Sequence, residues 1–296
     1  MKWRKIVLPL LIGLAVAAGP VFLPDSPQAL AAQAKPSPSG QAGMQVVKQK
    51  AAGKTTAAKR AVTHSTASSN FLLCRSHATV RVHGGNRTYL VKNDNFAGLG
   101  ECLAGSYTAP AFRVAQSRAT ATGPGSDAFP NIFDGCSWGS CSPRTKLPAK
   151  VSAMGSESTT LHTTERAEGT WAAGYDVWFN PRPIRTGQAQ AEMMIWLDGQ
   201  NVYNPAGQGW PVVRIDGALW YVETWITGNG RQTWRYVQFR KYTPRWSVTG
   251  LALKPFYQYL EGQGWITPSW YLLSINAGFE IWNGGAGLAA TEFSAT

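Results

Sequence analysis

Ala-Glu-Met-Met-Ile-Trp-Leu, residues 191–197, sets one carboxylate and one tryptophan in an otherwise apolar stretch. Side chains of a β-strand alternate between the two faces of a sheet. Glu192 therefore shares a face with Met194 and Trp196, whereas the opposite face is wholly apolar and is typical of a protein core. A carboxylate among apolar side chains costs free energy unless it is paired or takes part in chemistry.

Two further stretches repeat this arrangement: Tyr-Asp-Val-Trp-Phe at 175–179 and Gly-Phe-Glu-Ile-Trp at 278–282. Alternation places Asp176 beside Trp178 and Glu280 beside Trp282. Glycoside hydrolysis commonly uses two carboxyl groups, one ionised and one protonated. Apolar surroundings and a neighbouring negative charge both raise a carboxyl pKa, so one acid of a set can stay protonated. The three acids therefore indicate a sugar-cleaving cleft. The alternative is that they are buried partners of arginines.

The region from residue 71 to 296 is dense in short runs of strand-forming residues, separated by turn formers such as Asp216-Gly217. Only Leu253–Glu261, with Pro255 near its start and Gly262 after it, has a helical pattern. Many antiparallel strands and one short helix predict an all-β, two-sheet sandwich. The predicted strands include Thr79–Val82, Tyr89–Val91, Ala111–Val114, Trp171–Phe179, Gln190–Leu197, Val212–Ile215, Ala218–Ile226, Thr233–Arg240, Trp270–Ile275 and Gly278–Trp282.

The N-terminal part has a different composition. Residues 1–31 combine a basic start, an apolar run and a small-residue site, the layout of a secretory signal peptide. An uncleaved membrane anchor is the alternative. Residues 32–70 lack aromatic residues and periodicity, which predicts a flexible basic linker. Residues 71–296 then form one catalytic domain.

The net charge of +12 is concentrated in this N-terminal part. Residues 71–296 hold 19 basic and 15 acidic residues, a net charge of only +4. The basic tail is either a solvated linker or a segment that holds the protein near an anionic envelope or polysaccharide. No motif for nucleic-acid binding accompanies it.

Four cysteines suit an exported chain with disulfides. Pairing Cys74 with Cys102 and Cys136 with Cys141 is the simplest of the three connectivities. A zinc site is the alternative, but the spacing contains no Cys-x-x-Cys pair, and the histidines show no metal spacing. We expect no metal and no cofactor.

Twelve of the 13 tryptophans lie between Trp138 and Trp282, more than a sandwich core needs. Flat indole rings pack against the apolar faces of sugar rings. Together with the acids, they strengthen the prediction of a carbohydrate cleft.

The stretches at 191–197 and 277–288 (Ala-Gly-Phe-Glu-Ile-Trp-Asn-Gly-Gly-Ala-Gly-Leu) resemble the two signature strands of glycoside hydrolase family 12. Residues 129–139 and 171–180 support the likeness, in the family's order. The resemblance implies a β-jelly-roll with a concave substrate cleft and endo-acting hydrolysis of β-1,4-glucans with retention of configuration.

By motif position, the resemblance implies that Glu192 is the nucleophile, that Glu280 is the acid/base, and that Asp176 hydrogen-bonds the nucleophile. It also implies that Trp138 and Met194 line the cleft. Where the family has an Asn-rich stretch with a sugar-stacking tryptophan, this chain has Lys-Asn-Asp-Asn-Phe, so that Phe96 takes the place of the indole. The full set of expected substrate-binding residues is Asn95, Phe96, Trp138, Met194, Trp196 and Trp282.

We therefore expect a secreted, monomeric endo-β-1,4-glucanase that acts on cellulose, mixed-linkage β-glucan or xyloglucan. We expect it to bind no nucleic acid and, once the signal is removed, no membrane. The alternative is a non-catalytic carbohydrate-binding jelly-roll module, which would have no use for two facing glutamates.

Overall fold

A computed structural model of the chain describes residues 69–165 and 167–296. The predicted signal peptide and all but the last two residues of the predicted linker lie outside this part. The described residues form an almost entirely β structure, as expected. Its elements are β1 (Asn70–Leu73), β2 (Thr79–Gly84), β3 (Arg87–Lys92), β4 (Cys102–Ser106), β5 (Phe112–Gln116), β6 (Ala119–Thr120), β7 (Asn131–Ser137), β8 (Ser140–Cys141), β9 (Ala149–Lys150), β10 (Ser158–Glu165), β11 (Gly169–Asn180), β12 (Ala191–Gln200), β13 (Val212–Ile215), β14 (Ala218–Asn229), β15 (Gln232–Lys241), β16 (Ser247–Ala252), α1 (Lys254–Gly262), β17 (Tyr271–Gly284) and β18 (Leu288–Ala295), with short 3₁₀ helices at Val151–Ala153 and Pro205–Gln208.

The strands form two sheets. The smaller sheet has the order β1-β4-β5-β18-β10-β16. The larger sheet has the order β13-β14-β15-β12-β11-β17-β7-β3-β2, with β6, β8 and β9 attached at its sides. Most neighbours are antiparallel, but β12 and β15 run parallel. This arrangement confirms the predicted two-sheet jelly-roll sandwich.

The core fills the space between the sheets. It contains the residues that alternation assigned to the apolar faces of β11, β12 and β17, among them Tyr175, Met193 and Phe279, each essentially unexposed. Burying such side chains stabilises the fold by about 1.5–3 kcal/mol each. The helix α1 adds Phe256 and Leu260 to the same core. The larger sheet thus has one face in the core and leaves its other face for a site.

Several local predictions are confirmed. The helix lies within one residue of the predicted span. Asp216 and Gly217, both with positive φ, join β13 to β14 as the two-residue turn expected of a hairpin. The disulfides are Cys74–Cys102 and Cys136–Cys141, the simplest pairing.

One prediction is wrong: the two strands expected at 270–275 and 278–282 are a single strand, β17. Asn276, between the two predicted strands, and Gly278, at the start of the second, suggested a break because both residue types favour turns. Gly278 has another role here, since a Cβ at this position would lie 2.1 Å from the carbonyl oxygen of Pro130. The glycine lets β7 approach β17 closely and does not end the strand.

Among the residues that the structure describes, no helix is long and apolar enough to cross a membrane.

Candidate active site

Strand register brings the three acids to one face of the larger sheet. β11 lies between β12 and β17. Trp178 pairs with Glu192 of β12, and Asp176 pairs with Met194. On the other side of β11, Ala172 pairs with Glu280 of β17. A bulge at Ala173/Gly174 in the β11–β12 ladder adds local twist between these pairs.

Each carboxyl group has one oxygen held by a single hydrogen bond. The Trp234 indole N–H donates to Glu192 Oε2 at 2.5 Å, and the Trp178 indole N–H donates to Asp176 Oδ2 at 2.6 Å. The Ser126 hydroxyl donates to Glu280 Oε1 at 3.0 Å. Asp176 Oδ1 and Glu280 Oε2 are buried without a hydrogen-bond partner among the described residues. Asp176 therefore does not form the hydrogen bond to Glu192 that the family resemblance implied, because its one bonded oxygen is held by Trp178. Each of these two acids has a free oxygen on which a proton can reside.

The three acids differ in exposure. Asp176 is only 8% exposed, whereas Glu192 and Glu280 are partly exposed. The two glutamates are therefore accessible from solvent, whereas the aspartate is largely covered.

Burial is the main cause that raises the pKa of each of these acids, because the charged form loses hydration. It raises the pKa of Asp176 to about 8 and that of Glu280 to about 7. The pKa of Glu192 is also raised, first by burial and then by the charges of Asp176 and Glu280, against the lowering effect of Trp234. Three coupled carboxyls of this kind do not all ionise at neutral pH.

Two aromatic clusters flank the acids. We call the first the Trp138 cluster: Trp138 contacts Trp178 edge-on at 4.7 Å between ring centroids, and Trp178 contacts Trp234 at 5.9 Å. Trp138 is 47% exposed, with the Lys92 ammonium 5.8 Å from its ring. This cluster supplies both indoles that hold Asp176 and Glu192.

The second, the Trp196 cluster, contains Trp196, Trp282, Tyr203 and Trp210. Trp196 contacts Trp282 and Tyr203, with centroid distances of 5.8 and 6.2 Å, and Tyr203 contacts Trp210 at 5.3 Å. Trp196 and Trp282 are buried and pack with Met194. These three predicted substrate-binding residues are therefore largely covered by other side chains, and the exposed ring of this cluster is Tyr203.

The two remaining predicted substrate-binding residues follow β3. The Phe96 ring is 41% exposed, so it is accessible to a ligand. Asn95 is buried, and its side-chain oxygen accepts hydrogen bonds from the backbone N–H groups of Gly98 and Leu99. Its side chain therefore holds the turn that carries Phe96.

Comparisons with known proteins identify the family of the chain. The sequence model of Glycosyl hydrolase family 12 matches residues 103–296, which include all three acids. The chain belongs to this family. It is therefore a glycoside hydrolase. The family 12 chain is 34% identical over 152 residues to a protein described as "Probable cellulase Cel12b" of Mycobacterium tuberculosis, an alignment that covers 51% of this chain and 97% of that relative.

Solved structures of family 12 enzymes are similar to the chain as well. A metagenome-derived glycoside hydrolase family 12 endoglucanase is 31% identical, with a TM-score of 0.69, and covers 77% of this chain and 97% of its own. Endoglucanase Cel12A from Rhodothermus marinus is 32% identical, with a TM-score of 0.67, over 76% of this chain and 98% of its own. Both similarities extend over nearly the full length of the known structures.

Sequence reasoning missed several residues around the acids of this family 12 enzyme. Trp234 and Tyr236 lie on β15, which pairs in parallel with β12, so that Tyr236 is directly beside Glu192. Parallel pairing between strands so far apart in sequence leaves no local signal. Trp234 could have been found by its alternation with Tyr236 on one face of a strand. Ser126, on a loop, had no such pattern.

Acids also occur in strands outside this face: Asp134, Glu165 and Asp198. Glu101 is only 2% exposed, and burial raises its pKa to about 8. It lies next to Cys102, and neither of its carboxyl oxygens has a hydrogen-bond partner among the described residues. Burial of an acid alone therefore does not mark the cleft; burial together with an indole neighbour does.

Proposed function

We propose that this family 12 enzyme is an endo-acting β-1,4-glucan hydrolase that retains anomeric configuration, with Glu192 as nucleophile and Glu280 as acid/base. The family assignment supports β-glucan hydrolysis, and relatives are described as a probable cellulase and as endoglucanases. The observation that carries the residue assignment is the common face: two partly exposed glutamates beside one buried aspartate, between two aromatic clusters.

The assignment of the nucleophile rests on hydrogen bonding. Glu192 Oε2 accepts the Trp234 indole N–H, and a hydrogen bond to the charged form of a carboxyl favours ionisation. The buried Asp176, with its pKa raised to about 8, is mostly protonated at neutral pH. A neutral Asp176 no longer opposes the charge on Glu192, whose Oε1 accepts no hydrogen bond from the described residues and is left to attack.

The assignment of the acid rests on protonation. Burial raises the pKa of Glu280 to about 7, so a large fraction carries a proton at neutral pH. In the first step Glu280 gives this proton to the glycosidic oxygen while Glu192 Oε1 bonds to the anomeric carbon and the old C–O bond breaks. In the second step ionised Glu280 takes a proton from water, the water oxygen bonds to the anomeric carbon, and the Glu192 ester breaks.

The test uses soluble glucans. We expect the parent to lower the viscosity of mixed-linkage β-glucan early in the reaction and to release products first in the β configuration, as observed by NMR. Loss of the nucleophile in Glu192→Gln should lower kcat by about 10⁴-fold or more. Loss of the acid in Glu280→Gln should lower kcat on glucan by about 10²–10⁴-fold.

Glu292→Gln is the matched control, because Glu292 is paired with His162 on the smaller sheet, and its activity should equal that of the parent. Parental activity in both active-site variants would refute the assignment of the two glutamates as nucleophile and acid/base. Products released first in the α configuration would refute retention. Secretion, signal removal and a monomeric state stay predictions from the sequence.

A further inference from the structure

The phenol of Tyr236 lies beside the proposed nucleophile and takes no part in the two proposed steps. It is the direct register partner of Glu192 on the parallel β12–β15 ladder, so the two side chains leave the sheet on the same face. Its ring lies 4.2 Å from that of Trp225, its register partner on β14, and it packs against the Trp196 cluster. Tyr236 is partly exposed. A sugar whose anomeric carbon lies over Glu192 must therefore lie beside this ring.

The hydroxyl of Tyr236 is held in a defined direction. It donates to Gln238 Oε1 at 3.3 Å, and the same oxygen accepts the Tyr203 hydroxyl at 3.2 Å. Gln238 is buried, so its amide offers a fixed acceptor. At 3.3 Å this hydrogen bond is long, and a hydroxyl can exchange such a partner for a better one at little cost.

The electrostatic surroundings also suit a donor. Burial, and then the charges of Glu280 and Glu192, raise the pKa of the Tyr236 phenol, so that it is protonated at neutral pH. A neutral O–H close to both glutamates can stabilise negative charge without ionising. Asp176 also acts on this phenol, so all three acids lie within its electrostatic reach.

We infer that Tyr236 is a further catalytic residue, whose hydroxyl leaves Gln238 when substrate binds and hydrogen-bonds the sugar attached at Glu192. This inference rests on the proposed function. The contact is made to the sugar that forms the glycosyl ester, and not to the leaving group. It strengthens in the transition state, as the C–O bond breaks and charge is redistributed in that ring.

The test is Tyr236→Phe, which keeps the ring on Trp225 and removes only the hydroxyl. Two substrates are compared: mixed-linkage β-glucan, and 2,4-dinitrophenyl β-cellobioside, whose leaving group needs no proton. We expect kcat to fall about 10-fold on both, with KM little changed and the thermal unfolding midpoint close to that of the parent. Glu280→Gln should behave differently. Its kcat on glucan should fall, whereas the rate at which it forms the glycosyl ester from the aryl glycoside should change little.

Tyr107→Phe is the matched control, since Tyr107 is an exposed phenol beside Phe71 on the smaller sheet. It should change neither rate. Parental kcat in Tyr236→Phe on both substrates would overturn the inference while leaving the proposed function intact. A loss on glucan alone would also overturn it, because the phenol would then act on the leaving-group side. If the parent itself hydrolyses neither substrate, the proposed function fails instead.

Discussion

The two halves of the cleft hold their carboxyl groups by different means. Glu192 and Asp176 each accept an indole N–H from a strand, Trp234 on β15 and Trp178 on β11. Glu280, on β17, accepts a hydroxyl from Ser126, which lies on the loop between β6 and β7. The first half is therefore held by the sheet alone, whereas the second also depends on a loop.

The difference matches the demands of the two proposed roles. A nucleophile has to keep its charge and its direction, which an indole within a packed aromatic cluster provides. An acid/base has to change protonation state in each cycle, and a weaker hydroxyl donor lets it do so. The loop itself is anchored: Asp127 Oδ2 accepts the backbone N–H groups of Thr120 and Ala121, and the Trp282 indole donates to the Pro124 carbonyl.

Among the variants that test this difference between the two halves, Trp234→Phe should have the largest effect on kcat, because it removes the strand-borne donor to Glu192. A hydrogen bond to a charged group is worth about 1.5–3 kcal/mol, so kcat should fall about 10–100-fold. Because the donor lowers the pKa of Glu192, its loss should raise that pKa and move the acidic limb of the pH–rate profile to higher pH. A pH series of kcat measures both effects.

Trp246→Phe is the control, because Trp246 is an exposed indole before β16 on the smaller sheet. It should leave the profile unchanged. An unmoved acidic limb in Trp234→Phe would mean that the indole only packs, and the proposed difference between the two halves would disappear.

A smaller effect concerns stability. The pKa of Glu280 is raised from 4.5 to about 7, so the folded enzyme binds more protons than the unfolded chain between these values. The contribution of Glu280 to the free energy of unfolding is then most favourable below about pH 4.5, and it declines as the pH rises to about 7. Glu280→Gln has no such decline. A difference of this size between the two pKa values corresponds to about 3 kcal/mol. Because Glu280 is partly exposed and its charge is screened by solvent, the variant should gain about 1–2 kcal/mol relative to the parent between pH 4 and pH 8.

Urea unfolding at both pH values measures this gain. Glu292→Gln, at a carboxyl group that is 55% exposed, should show no comparable change with pH. A constant difference between parent and Glu280→Gln at the two pH values would show that the Glu280 carboxyl is not held in an unfavourable charged state.

The strand-borne half of the cleft could be predicted largely from the sequence. Period-two alternation is a local signal, and it placed Asp176 with Trp178 and Glu192 with Trp196 on one face before any topology was known. The same signal gave the apolar core faces of β11, β12 and β17. It failed at Gly278, where close approach of β7 has the same sequence appearance as a turn.

The remaining parts depend on contacts between distant segments. Trp234 meets Glu192 only because β15 pairs with β12, 42 residues away in the chain. Ser126 meets Glu280 across 154 residues. Composition and alternation carry no information about such pairs. Tyr203 is a further residue of this kind, because its hydroxyl contacts Gln238, which lies 35 residues further along the chain.

The smallest expected effect comes from Ser126→Ala, which removes the donor of the loop-borne half. The Ser126 hydroxyl lowers the pKa of Glu280 against the larger effect of burial, so its loss should raise that pKa further. Glu280 acts as an acid only while protonated, and the alkaline limb of kcat should therefore move up by about half to one pH unit, since a neutral hydrogen bond is worth about 0.5–1.5 kcal/mol and one pH unit corresponds to about 1.4 kcal/mol. The acidic limb, set by Glu192, should not move.

Ser152→Ala, on the 3₁₀ helix at Val151–Ala153, is the matched control. If the acidic limb shifts instead, the loop acts on the nucleophile, and the two halves of the cleft are not separately controlled.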